Sequence, residues 1–179
     1  MEKPVITDRQ FIYKGSRIEV YKDVLKIPNG NVVSWDFVKH IGAAAVVPVT
    51  KEGKIVVVRQ YRNALDRETL EIPAGGLNSP DEPTLEAAVR ELEEETGYIS
   101  PLPLKKLISI VPAIAYCDEI IDIYVAKDLE RGEKHPDEDE FINVEEYELD
   151  TLVDMIYKGI IQDSKTVSAI FAYKNLLNN

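Results

Sequence analysis

The first quarter of the chain carries the hydrophobic pattern of paired strands. Residues 17–40 contain two runs rich in β-branched and aromatic residues on either side of residues 28–31, Pro-Asn-Gly-Asn. An Asn-Gly pair between such runs is a strong hairpin signal, so the segment predicts two antiparallel strands. Longer apolar runs follow at residues 43–49 and 55–61, separated by a short polar stretch. They predict central strands that pair with each other through a tight turn.

After a short strand predicted at residues 69–72, the apolar positions change to helical spacing. They recur at i, i+3, i+4 and i+7, at Leu85, Ala88, Val89 and Leu92. This spacing predicts a helix with one apolar stripe that faces the core. Pro83 suits the first turn of this helix, and Gly97 suits the position that follows its last turn.

The rest of the chain predicts more strands and two closing helices. The strands are expected at residues 104–110, 120–126 and 141–147. Gly159 ends the first closing helix, and Asp163 or Ser164 can cap the second. The whole pattern predicts an α+β fold of many strands and about three helices. We expect a small N-terminal β unit at residues 1–40 and a main domain at residues 41–179.

Composition narrows the classes of partner. The 179 residues include 21 basic and 32 acidic ones, for a net charge of −11. Nucleic acids and anionic membranes attract basic surfaces, so we expect neither as a partner. The single cysteine, Cys117, excludes an internal disulfide and a cysteine-based zinc site. Residues 1–10 lack the apolar core of a signal peptide, and the apolar run at residues 41–49 is too short to span a bilayer. A cytoplasmic protein is therefore expected.

Three carboxylates fall on one side of the predicted helix: Glu91, Glu94 and Glu95. Arg90 lies four residues before Glu94 and can pair with it. Such a group can be a solvated acidic face. However, close acids repel each other, and the C-terminal end of a helix disfavours negative charge. A divalent cation would relieve both effects, and carboxylate oxygens are the hard ligands that Mg²⁺ selects.

The spacing around these acids is also specific. It matches the pattern G-x5-E-x7-R-E-U-x-E-E-x-G-U, where U is an apolar or aromatic residue. The positions that match are Gly76, Glu82, Arg90, Glu91, Leu92, Glu94, Glu95, Gly97 and Tyr98. At background residue usage, the probability that seven fixed positions match by chance is on the order of 10⁻⁸ per start position.

This segment resembles a complete Nudix box. The resemblance implies a hydrolase of nucleoside diphosphates linked to another group, with an α/β/α sandwich around a mixed sheet. It also implies that Glu91 and Glu95 are the main ligands of Mg²⁺ or Mn²⁺, with Glu94 as a further one. A backbone carbonyl of Ala74 or Gly75 is implied as another ligand. The remaining motif residues receive orienting or structural roles by the same resemblance: Gly76, Glu82, Arg90 and Gly97.

Over residues 12–175 the chain is most similar to bacterial ADP-ribose pyrophosphatases. The supporting segments are SWDFVKH (34–40), VVVRQYR (56–62), LEIPAG (70–75), DEI (118–120) and DEDEFINV (137–144). This resemblance implies hydrolysis of ADP-ribose to AMP and ribose 5-phosphate by a homodimer, with the N-terminal β unit at the interface. Trp35 is either a packed ring or an adenine-stacking platform. Arg62 could clamp a diphosphate, and Glu71 and Glu119 are implied as further substrate contacts.

The acidic run at residues 137–140 matches a loop that supplies the general base in relatives. Glu138 and Glu140 are therefore candidates for the base, and Glu95 in the box is another. The segment at residues 111–116 departs from the Ser-Pro-Gly of ADP-ribose enzymes, because Ile114 stands where the proline is expected. Alternative substrates are a nucleotide sugar such as GDP-mannose, or a dinucleotide. A non-catalytic ligand-sensing module of the same fold is the remaining alternative.

Overall fold

A computed structural model describes residues 2–132 and 142–178 of the chain. The strands are β1 (Val5–Lys14), β2 (Ile18–Lys26), β3 (Val32–His40), β4 (Ala43–Pro48), β5 (Ile55–Arg62), β6 (Arg67–Glu71), β7 (Ala74–Gly76), β8 (Tyr98–Ile99), β9 (Lys105–Ile110), β10 (Ile121–Ala126), β11 (Glu130–Arg131) and β12 (Asn143–Tyr147). The helices are α1 (Thr84–Thr96), α2 (Leu149–Tyr157) and α3 (Ser164–Leu177), and a short 3₁₀ helix spans Asn63–Leu65.

The N-terminal sheet has three antiparallel strands in the order β1-β2-β3. The predicted hairpin is confirmed, since Lys26 pairs with Val32 and the turn between them contains Gly30 at φ +89°. Strand β1 was not predicted from the sequence. All ten of its residues are exposed, so it lacks the alternating burial that marks a strand covering a core.

The main domain holds two further sheets, ordered β7-β4-β10-β9 and β12-β5-β6, and a small β11-β8 pair. β4 and β10 are parallel, whereas their other neighbours are antiparallel, so the sheet is mixed. The prediction that β4 and β5 pair through a tight turn was wrong. They join different sheets and share only the bridge between Val49 and Ile55.

The buried faces of β4 explain this arrangement. All six of its residues are buried, and they alternate between two cores. Ala45 and Val47 face the core that contains Leu152 of α2 and Ile170 of α3. Ala44 and Val46 face the core that contains residues of α1. Helices therefore lie on both sides of the strands, which is the expected α/β/α layering.

Helix α1 is rotated relative to the stripe predicted from its sequence. Leu85 and Val89 are 42% and 47% exposed, whereas Glu91 and Glu95 are only 8% and 2% exposed. The buried face consists of Ala87, Ala88, Glu91, Leu92, Glu95 and Thr96. The small alanines let the helix approach β4 closely, and this rotation turns two glutamates toward the interior.

The ends of the helices follow the predicted signals. Gly97 has φ +68° and its N–H donates to the carbonyl oxygen of Glu93, which closes α1. Asp163 caps α3 by accepting a hydrogen bond from the N–H of Thr166 at 3.0 Å. Within the described part of the chain, no helix has the length and apolar character needed to cross a membrane.

Candidate active site

Strand β7 brings the backbone before the glutamate helix against β4. Ala74 pairs with Ala45, and Gly76 pairs with Ala43. The N–H of Ala74 donates to Oε2 of Glu95 at 3.0 Å. A Cβ added at Gly75 would overlap the carboxylate of Glu91, so only glycine permits this approach of backbone and carboxylate.

Arg90 holds the other carboxylates in place. Its Nη1 donates to Oε1 of Glu91 at 2.6 Å and to Oε2 of Glu94 at 3.0 Å. Its Nη2 donates to the carbonyl oxygen of Gly76 at 3.3 Å, and its Nε lies 3.5 Å from Glu82. One guanidinium group thus connects the helix, the loop before it and strand β7. Glu82 also accepts a hydrogen bond from the N–H of Asn78, which closes that loop.

The oxygen ligands that the box offers suit a hard divalent cation. Glu91, Glu94 and Glu95 offer only oxygen ligands, and the backbone of Ala74 and Gly75 lies beside two of them. Within residues 2–132 and 142–178, no three His, Cys, Asp or Glu side chains lie in an arrangement that could hold a metal ion. At this site, Glu91 and Glu94 both accept hydrogen bonds from Arg90.

Glu71 and Arg62 form a second ionic group beside the first. Arg62 donates to both carboxylate oxygens of Glu71, from Nε at 2.7 Å and from Nη2 at 2.6 Å. Glu71 is 3% exposed and also accepts from Thr69 at 2.6 Å. Burial alone would raise the pKa of Glu71, but hydrogen bonding to Arg62 and the charge of Lys165 lower this pKa to about 2. The carboxylate therefore holds Arg62 in one orientation, and it is itself covered.

Lys165 and Thr166 were missed by the sequence analysis. The ammonium group of Lys165 contacts Glu71 and lies 3.0 Å from Oδ2 of Asp163. Oγ1 of Thr166 accepts from the N–H of Ile72 at 2.9 Å and donates to Asp163 at 2.6 Å. A lysine in the first turn of a helix opposes the helix dipole, and this was the one available signal. The contact of Lys165 with Glu71 and that of Thr166 with Ile72 each join residues 94 positions apart, so sequence spacing could not reveal them.

A cleft of about 400 Å³ is lined by the backbone at residues 74–76, beside the box glutamates, and by Arg62 and Lys165 of the second group. This volume lies within the usual range for small-molecule sites, about 300–1,000 Å³. Its polar lining includes Arg17, His40, Arg62, Glu119, Asp163 and Lys165. Nδ1 of His40 accepts from the N–H of Gly42 at 3.0 Å and lies 3.5 Å from Glu119. His40 thus borders the cleft.

Other predicted residues lie elsewhere. Trp35 is 52% exposed on β3 and does not line this cleft. It precedes His40 by five residues, which is about 16 Å along an extended strand. Ile114 is 83% exposed, and Pro112 of the same loop lines the cleft. Glu138 and Glu140 lie outside the described residues.

The class of protein is defined by the layered fold and by helix α1 with its glutamates, which follows strand β7 and its two glycines. The family profile described as NUDIX domain matches residues 39–169, and the chain belongs to this family. The Nudix resemblance drawn from the sequence, and the fold expected from it, are therefore confirmed.

Curated relatives match almost the whole chain. A methanol dehydrogenase activator of Bacillus methanolicus is 42% identical over 94% of this chain and 90% of its own length. An ADP-ribose pyrophosphatase of Bacillus subtilis (strain 168) is 38% identical over 95% and 91%. A crystal structure of an ADP compounds hydrolase superposes with a TM-score of 0.87 at 24% identity, covering 99% of this chain and 96% of that one. This last likeness supports the fold.

Proposed function

We propose that this protein is a Nudix pyrophosphatase that hydrolyses ADP-ribose to AMP and ribose 5-phosphate. The observation that carries the proposal is that one cleft is lined both by the backbone beside the box glutamates and by the cations that contact Glu71. Buried glutamates face the backbone at Gly75, and cations held by a buried carboxylate line the adjoining wall. The similarity to the Bacillus subtilis ADP-ribose pyrophosphatase supports the choice of substrate.

In this proposal Glu91, Glu94 and Glu95 hold Mg²⁺, or Mn²⁺, together with a carbonyl of Ala74 or Gly75. When bound, such an ion neutralises phosphate charge and lowers the pKa of a coordinated water. Arg90 keeps two of the carboxylates oriented through its hydrogen bonds. The proton of the attacking water is accepted by Glu138 or Glu140, or by Glu95 in the box.

Arg62 binds the diphosphate. Nε and Nη2 of Arg62 donate to the Glu71 carboxylate, which leaves Nη1 of Arg62 for a ligand in the cleft. Glu71 thus acts on the substrate through Arg62, while Glu119 lies at the cleft wall beside His40. With a net charge of −11, the chain repels an anionic substrate at long range, so local cations are needed to hold it.

We further propose that residues 1–40 form a dimerisation unit and residues 41–179 the catalytic domain. The two outer strands of the N-terminal sheet, β1 and β3, carry exposed large apolar side chains: Val5, Ile6, Phe11, Ile12, Tyr13, Val32 and Trp35. A second copy would cover this surface. Because Trp35 lies away from its own cleft, it would stack on adenine in the partner's site.

A substrate panel tests the proposed activity. ADP-ribose, GDP-mannose and a dinucleotide are incubated with Mg²⁺ and with Mn²⁺, and alkaline phosphatase then releases phosphate from the monoester products. We expect ADP-ribose to give the highest kcat/KM. A preference for the dinucleotide would favour the alternative specificity. Binding without turnover of any substrate would favour a ligand-sensing module and contradict the proposal.

A further inference from the structure

The cleft is also lined by Arg17, a cation that belongs neither to the group around Arg90 nor to the group around Glu71. Arg17 lies in the turn between β1 and β2, which is closed by a hydrogen bond from the N–H of Gly15 to the carbonyl oxygen of Ile18 at 2.8 Å. It lines both the main cleft and a smaller pocket of about 140 Å³ that contains Glu91 and Glu94. Arg17 therefore stands at the boundary between the carboxylates and the cleft.

Strand register explains how a residue of the N-terminal sheet reaches this boundary. Ile18, which follows Arg17, pairs with His40 at the end of β3. The chain then turns at Gly42 into β4, where Ala43 pairs with Gly76. A Cβ added at Gly76 would lie 3.1 Å from Nη1 of Arg17, so the guanidinium group rests against that glycine.

The two guanidinium groups around Gly76 differ in their partners. Arg90 is engaged by Glu91, Glu94 and the carbonyl oxygen of Gly76. Arg17, in contrast, forms no side-chain hydrogen bond or ion pair with any other residue in the ranges 2–132 and 142–178. Its planar set of donors is suited to two oxygens of a phosphate.

We propose that Arg17 binds the diphosphate of the substrate and positions it against the carboxylates, in the same cleft that Arg62 lines. This inference rests on the proposed function, because it requires a diphosphate in the cleft. It makes the turn after β1 part of the binding site. The scissile diphosphate must lie between the metal ligands and the main cleft. Arg17 lines both the main cleft and the smaller pocket that contains Glu91 and Glu94.

The test compares Arg17→Ala and Arg17→Lys with Lys26→Ala. Lys26 is an exposed cation at the far end of β2, so its variant controls for the loss of one charge from the same sheet. Calorimetry measures the Kd of α,β-methylene-ADP, which is not cleaved, and steady-state kinetics measure KM and kcat for ADP-ribose. Because Arg17 is exposed, its replacement leaves the fold intact, which thermal unfolding verifies.

Loss of hydrogen bonds to a charged group predicts about 10- to 100-fold weaker binding of the analogue by Arg17→Ala, with a matching rise in KM. Arg17→Lys should regain part of the affinity, and Lys26→Ala should match wild type. Unchanged Kd and KM in Arg17→Ala would overturn the assignment. So would an equal loss of affinity for adenosine, which has no phosphate, or a failure of wild type to bind the analogue.

The outcomes separate this inference from the proposed activity. If wild type binds the analogue but does not cleave ADP-ribose, the proposed substrate is wrong, while the Kd of the variants still tests Arg17. If wild type cleaves ADP-ribose and Arg17→Ala does so with unchanged constants, the activity stands and the role of Arg17 is refuted.

Discussion

The N–H of Ala74 donates a hydrogen bond to Oε2 of Glu95 at 3.0 Å, which ties the end of the glutamate helix to the strand before it. Glu95 is 2% exposed, so this contact fixes a carboxylate that water hardly reaches. The hydrogen bond thereby holds the Glu95 carboxylate against the backbone of β7. The box glutamates are consequently positioned by the fold as well as by their helix.

Replacing Glu91 or Glu95 by glutamine should lower kcat by at least about 10²-fold, because each change removes a ligand charge but keeps the shape. Glu86→Gln is the matched control, since Glu86 lies on the exposed face of the same helix. Circular dichroism and thermal unfolding check that the variants fold. Activity near that of wild type in both box variants would refute the metal assignment.

Glu71→Gln should destabilise the protein in a pH-dependent manner. The folded-state pKa of Glu71 is about 2, below its ordinary value of 4.5, so its ionised form stabilises the folded state above pH 4.5. This contribution declines as the pH falls from 4.5 toward 2. The difference in free energy of unfolding between wild type and Glu71→Gln should therefore be largest near neutral pH. Urea unfolding at several pH values measures it, and a difference that grows in acid would contradict the assignment.

Thr166→Val should cost about 1–3 kcal/mol of stability, because it leaves the N–H of Ile72 without its hydrogen-bond acceptor in a buried place. Thr151→Val, at an exposed position of α2, controls for the change in side-chain type. Denaturant unfolding of both variants gives the comparison. Equal effects would show that the Thr166 contact does not hold α3 against Ile72, in the segment between β6 and β7.

The rotation of α1 can be tested by two truncations. Leu92 is 1% exposed, so Leu92→Ala should cost about 2–5 kcal/mol. Leu85 is 42% exposed, so Leu85→Ala should change stability by no more than about 0.5 kcal/mol. The apolar stripe predicted from the sequence would instead give both changes a large cost.

The outcome at α1 shows how far the sequence predicts this protein. Pro83 and Gly97 marked the ends of the helix correctly, because punctuating residues act locally. The buried face was misjudged, since leucine and valine outweigh alanine in hydrophobic periodicity while glutamate is counted as polar. Only the fit of Ala87 and Ala88 against β4, with glutamates facing the backbone, determines the rotation.

Contacts between segments that are distant in the sequence also could not be predicted. The apolar runs of β4 and β5 were recognised, but their neighbours depend on which sheet each strand joins. In the same way, the motif predicted the glutamates and Arg90, whereas the contact of Lys165 with Glu71 depends on where α3 docks. Arg17 reaches the cleft through the register of four strands, β2 with β3 and β4 with β7, which no single segment encodes.

The oligomeric state is a further prediction. Light scattering at micromolar concentration should report a mass twice the 20.2 kDa of the chain, because a second copy would cover the large apolar side chains that the N-terminal sheet exposes. Phe11→Glu, at a position 57% exposed, should shift the species toward monomer. A wild-type monomer would refute the dimer.

Trp35 provides an optical test of the adenine site. If its indole stacks on the base, Trp35→Ala should lose about 1–3 kcal/mol of binding, mainly as a higher KM. Because Trp35 is the single tryptophan, wild-type emission should also change when ADP-ribose is added with Ca²⁺. Constant emission on AMP binding would remove Trp35 from the base site.

The most direct test of the central claim is the identity and ratio of the products formed from ADP-ribose. With Mg²⁺ or Mn²⁺, chromatography should show AMP and ribose 5-phosphate in equal amounts, with no product after chelation of the metal and a strong loss in Glu95→Gln. Failure of the folded wild-type protein to form these two products with either metal would contradict the account.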